Sequence, residues 1–153
     1  MNKPLYLLLC LFVVFASGCA ATGPKYSAYK HTIPAVPSDK GRIYFYRDDS
    51  MMGAAITPDI KLNNKVVGES LPGGFFFVDQ APGKCSVSTS TEVERTLEFT
   101  LAPAEVKYVR TSISMGFFVG HVYPELVGKA DAEKALTDLS FAGKYDANHP
   151  KPE

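Results

Sequence analysis

Apolar and polar residues alternate in short runs from Gly41 onward, and most of the expected architecture follows from that period. In Arg42-Ile43-Tyr44-Phe45-Tyr46-Arg47, Ile43 and Phe45 project to one face of an extended chain, Tyr44 and Tyr46 to the other. This run predicts a strand with Ile43 and Phe45 in the core and the tyrosines on a more polar face. Arg42 and Arg47 are then charged flanks that discourage edge-to-edge pairing. Ile60 and Leu62 alternate with charged neighbours. Asn63-Asn64 predicts a tight hairpin turn into Lys65–Glu69, because asparagine tolerates positive φ. Phe75-Phe76-Phe77-Val78, opened by Gly73-Gly74, is apolar on both faces and reads as a strand covered on both sides. Pro82-Gly83 predicts a type II turn. Cys85, Val87 and Thr89 then alternate with Ser86, Ser88 and Ser90. Leu97, Phe99 and Leu101 before Pro103, the run Glu105–Ser114 and the run Met115–Val122 complete the series. Signals at this spacing predict an all-β fold, a sandwich or barrel of seven to eight strands.

The period changes near the C-terminus. Ala132, Ala135, Leu136 and Leu139 recur at helical spacing among good helix formers, which predicts one short C-terminal helix packed on the sheets. Residues 143–153 read as a polar tail. Residues 20–40 carry Pro24, Pro34 and Pro37 and no periodicity, so they read as a flexible tether, with Tyr26 and Tyr29 unanchored.

The first residues differ again. Met1-Asn2-Lys3 precedes an apolar run from Leu5 to Phe15, then Ala16-Ser17-Gly18-Cys19. The run is about half the length needed to cross a bilayer, and a basic start with small residues before a cut site describes a signal peptide. Ala16-Ser17-Gly18-Cys19 resembles the bacterial lipobox, with Ala16 where leucine is commonest. The resemblance implies cleavage between Gly18 and Cys19 and acylation of Cys19. Ala20, rather than aspartate, resembles the outer-membrane sorting pattern. A plain secreted protein and an uncleaved anchor are the alternatives. The expected organisation is a signal peptide over 1–18, a lipidated N-terminus and tether over 19–40, the β-sandwich over 41–142, and the tail over 143–153.

Charge narrows the partners. Lys plus Arg and Asp plus Glu both number 16, so no broad field draws the chain to nucleic acid. With Cys10 removed and Cys19 acylated, Cys85 is left alone; it is expected buried as a small hydrophobe. Asp48-Asp49 lacks the spaced oxygens a calcium loop supplies. His31, His121 and His149 are scattered, and no G-x-S-x-G elbow occurs. No catalytic residue, metal or cofactor is expected. Tyr44, Tyr46 and Phe76 are the candidate platform for a sugar or peptide, weighed against a role in the core.

Gly41–Arg47, Ile60-Lys61-Leu62-Asn63-Asn64-Lys65-Val66-Val67-Gly68, Phe75–Val78 with Pro82-Gly83-Lys84, and Val106–Arg110 occur in an order that resembles the bacterial domain-of-unknown-function family 2846, common on lipoproteins. The middle portion is also similar to PEGA-type surface modules, although Asn-Asn replaces their usual Asp-Gly turn. The resemblance implies a small prealbumin-like sandwich and lends no catalytic residues; the expected fold is therefore a prealbumin-like or Ig-like β-sandwich. The expected function is a lipid-anchored envelope module, non-enzymatic, with an envelope protein or glycan as partner. The alternative is a small-ligand-binding lipoprotein using an exposed aromatic face.

Overall fold

The computed structural model describes residues 20–115 and 120–144. Cys19 and its flank Ala16, Ser17 and Gly18 lie outside them, as does His149. The described chain runs α1 (Tyr26–Tyr29), β1 (Gly41–Tyr46), β2 (Asp59–Leu62), β3 (Lys65–Glu69), β4 (Gly74–Gln80), β5 (Gly83–Ser90), β6 (Glu94–Leu101), β7 (Val106–Met115), β8 (Gly120–Val127), α2 (Lys129–Leu136) and β9 (Ser140–Phe141). One sheet has the order β8-β7-β1-β4-β9, the other β3-β2-β5-β6. They form an open β-sandwich. The strand count among the described residues exceeds the expected eight by the two-residue β9. Of the apolar stretch expected as one last strand, Met115 ends β7 and Gly120 begins β8, which continues to Val127 through Pro124. Proline is tolerated there because β8 is an edge strand.

Phe45 and Phe76 stack across the inner face at 5.0 Å, and Ile43, Val109, Ile60, Leu62, Cys85 and Val87 close the core between the sheets. The Asn63-Asn64 turn forms as expected, with φ of 48° and 67°. Gly73 and Gly83 also take positive φ, at 63° and 134°. The outer face of the second sheet is polar, with Ser90 exposed, Ser86 half-buried and Ser88 buried, while β1 and β4 are buried on both faces along the rungs Tyr44–Phe77 and Tyr46–Phe75.

Three expectations are corrected, the first two by one cause. Tyr44 and Tyr46 are not on a polar face; they are 7 % and 2 % exposed. Residues 20–40 are not a loose tether, since Tyr29 is fully buried in the core. Gly23 N–H donates to Phe141 O, Tyr26 N–H to Leu139 O, and Phe141 N–H to Pro24 O, at 2.8–3.1 Å. The segment around α1, together with α2 and the Phe141 ring, covers the outer face of β1 and β4, while β9 itself pairs the edge of β4. Tyr26 meets Tyr44 and Phe75 edge-on, at 6.2 and 5.2 Å, and Tyr29 packs on Phe141 at 4.7 Å. Aromatic area removed from water here outweighs the weak helix propensity of a four-residue turn.

Arg42 and Arg47 are the third correction. Both are 3 % exposed. The Arg42 guanidinium donates to both carboxylate oxygens of Asp79, at 2.6 and 2.8 Å, and to Pro34 O at 2.7 Å. It lies 4.4 Å over the Phe77 ring. Arg47 donates to Ile56 O, Ser70 O and Gly53 O at 2.6–3.0 Å and so fixes the loop between β1 and β2.

Candidate functional site

The two sides of the sandwich differ. On one, β8 approaches β5 and β6, and Thr89 Oγ1 donates to Val122 O at 2.7 Å. On the other, β3 ends its sheet, and β9 pairs β4 only at Gly74 and Phe75. Beyond Phe75, the outer edge of β4 has no strand beside it among the described residues. Between these edges lies a groove of about 500 Å³.

Its construction follows from local sequence. Val66 and Val67 face it from β3, Phe76 and Val78 from β4. Val66 is 56 % exposed, an uncommon position for a large aliphatic side chain. Gly68 sets the width: a Cβ there would lie 2.5 Å from the tip of the Phe76 ring, so only glycine lets β3 approach the first sheet this closely. Asp59 and Glu69 stand at the β2–β3 rim and Lys144 at the other. An apolar floor, an acidic and a basic rim, and backbone N–H and C=O groups along two strand edges suit an extended chain. The volume lies in the range of ligand pockets.

Of the three candidate ligand-binding residues, only Phe76 reaches this groove. Tyr44 stacks on Tyr108 at 5.4 Å beneath the helices, and Tyr46 is buried on the same face, so neither offers an exposed platform. The groove valines were present in the sequence as a strand apolar on both faces, Lys65-Val66-Val67-Gly68, on what proves to be a sheet edge. Cys85 is buried, and burial pushes its thiol up from the ordinary range. Asp48 and Asp49 are exposed, with Asp48 3.7 Å from Arg110. Among the described residues no three His, Cys, Asp or Glu side chains gather as a metal would require. No helix among them is long and apolar enough to cross a membrane.

Residues 37–122, more than half of the chain, match the family of proteins of unknown function DUF2846. The chain belongs to the DUF2846 family. A relative is an uncharacterised protein of Haemophilus influenzae, 31 % identical over 101 residues. That alignment covers 65 % of this chain and 60 % of the relative's length. The DUF2846 match takes in β1 to β7 and every groove residue on β2, β3 and β4, but leaves out α1 and α2, the helices over the outer face, and the edge strand β9.

Proposed function

We propose that the protein is a lipid-anchored module of the bacterial cell envelope that binds an extended segment of another envelope protein along the open side of its sandwich and catalyses no reaction. The groove between two unpaired strand edges carries this reading. A peptide laid there satisfies the free backbone groups of β4 or β3, and its alternate side chains meet Val66, Phe76 and Val78. The likeness of the middle portion to PEGA-type surface modules supports a binding role. The lipobox-like Ala16-Ser17-Gly18-Cys19 supports acylation at Cys19, and Ala20 supports the outer membrane, with the domain facing the periplasm. The charged side chains that pair do so structurally, as Arg42 with Asp79 and Arg110 with Glu125, which favours a binding role over a catalytic one. A stacked glycan is the weaker reading because Tyr44 and Tyr46 are covered.

Photo-crosslinking in intact envelopes tests this. A photoreactive residue at Val66 or Val78 is expected to capture a protein segment that one at Lys84 does not. Crosslinks only to residues 145–153 of the same chain, or none at either position, would defeat the proposal. In parallel, mass spectrometry of the membrane fraction is expected to find an acylated peptide beginning at Cys19, lost in Cys19→Ser.

A further inference from the structure

We propose that the loop carrying Met51 and Met52 is the surface on which the domain rests against the bilayer holding the acyl chains of Cys19. This deepens the lipid-anchor reading and rests on it.

The first observation is the length of free chain. The fold claims the backbone from Gly23, whose N–H donates to Phe141 O at 3.1 Å. Only Ala20, Ala21 and Thr22 separate that bond from Cys19. Fully extended, this link spans about 14 Å. Ala21 is itself at the protein surface, its Cβ 3.1 Å from where a Cβ of Gly74 would stand. The domain therefore cannot stand off from a membrane that holds Cys19. Some part of it must lie at the headgroups.

The second observation says which part. Gly74 opens β4, and its neighbour Gly73 donates N–H to Asp48 O at 3.4 Å. A Cβ on Gly73 would lie 3.3 Å from Asp49 Cγ. The anchor thus enters at the end of the sandwich where β1 leaves for β2, and the loop between them carries Met51 and Met52. These are 92 % and 60 % exposed, the two most exposed large apolar side chains among the described residues. The turn after β5 brings Val93, 46 % exposed, to the same end.

The third observation is that the loop is held. Arg47, buried beneath it, donates to Gly53 O and Ile56 O within the loop and to Ser70 O outside it. Gly53 takes φ 64°, and a Cβ there would lie 2.5 Å from Ile113. A surface fixed before contact loses little conformational freedom on binding. Methionine suits a lipid boundary, being flexible and apolar. The exposed charges at this end are mainly acidic, Asp48, Asp49, Glu92 and Glu94, with Arg110 3.7 Å from Asp48, so the contact is apolar rather than an attraction to anionic headgroups.

The chain has no tryptophan, which permits a depth measurement. Full-length acylated protein with Met52→Trp is reconstituted in phosphatidylethanolamine–phosphatidylglycerol vesicles whose acyl chains are brominated. Met51→Trp is prepared as a second reporter in case one variant folds poorly. Lys84→Trp is the control, about 20 Å away by strand rise from Ser90 at the loop end. The loop reporter is expected to be quenched several-fold more than the control, with blue-shifted emission, unchanged by added salt. Equal quenching in protein shown by mass spectrometry to be acylated at Cys19 overturns the docking and leaves the anchor standing. A chain that carries no acyl group on Cys19 overturns the anchor, and the docking with it. A photoreactive residue at Met52 that captures an envelope protein in native vesicles, with no quenching of the loop reporter in pure lipid, assigns the loop to a protein partner and also overturns the proposal.

Discussion

A guanidinium held away from water must be met by oxygen atoms, and the two arginines bracketing β1 are met differently. Arg42 has a carboxylate, Asp79, only 8 % exposed. Burial pulls the Arg42 pKa down, and the hydrogen bonds and charge of Asp79 more than offset this, so it stands above the ordinary value. Arg47 has carbonyls alone, and burial lowers its pKa. Removing one partner of a buried pair strands the other charge. Arg42→Leu is therefore expected to cost about 3–5 kcal/mol, read as a lower urea midpoint. Arg42→Leu with Asp79→Leu should recover much of that loss; a double variant as unstable as the single would refute the pairing. In the sequence both arginines flank a strand, the position where a charge ordinarily meets solvent. Nothing local distinguishes a flank from a buried hub whose acceptors lie up to 37 residues away.

Elements whose partners are near in sequence were the legible ones. The hairpin at Asn63-Asn64, the β5 alternation of Cys85, Val87 and Thr89, and the helical stripe Ala132, Ala135 and Leu136 stand where the pattern placed them, while Leu139 is buried just beyond the end of α2. What escaped was the cover over β1. Tyr44 and Tyr46 read as a polar face because the elements above them, α1 and α2, come from outside the sheet and from opposite ends of the chain. Residues 20–40 read as a tether because a four-residue helix has no period to show. Phe76 was legible as a strand residue, yet its groove was not, because the opening depends on how far β9 extends along β4. The packed segment yields a measurable difference. A chain trimmed to residues 41–153 loses Tyr29 and uncovers Phe75 and Phe141, and should be less stable by about 3 kcal/mol at least. Equal stability with and without residues 20–40 would restore the tether.

Across the molecule, Tyr26, Tyr44 and Tyr108 form a cluster drawn from the N-terminal segment, β1 and β7, with Glu133 of α2 3.4 Å from the Tyr108 hydroxyl. Burial first, then Tyr44 and Glu133, push Tyr26 from 10.0 up to about 12. Tyr108 is raised by burial and then by Glu133, and Tyr44 by burial against the opposing pull of Arg42. The unfolded chain releases these protons near the ordinary tyrosine value while the folded one keeps them. Stability should thus be full below pH 10 and fall as pH rises from about 10 towards about 12. Tyrosinate absorbance should appear together with loss of the near-ultraviolet circular dichroism. Free ionisation near pH 10 with the fold intact would contradict the burial.

The bonds from Gly23, Lys25 and Tyr26 to residues 138–141 have a temporal consequence. A ribosome or a translocation channel delivers the first of these partners more than a hundred residues before the last. In addition, β1 lies between β4 and the much later β7, to which it is parallel. Long-range pairings of this kind form slowly. No early fragment can bury the outer face of β1. A nascent chain stays threadable until its final strand has emerged, and an interruption anywhere before Phe141 leaves Tyr44, Phe75 and Phe77 open to chaperones and proteases.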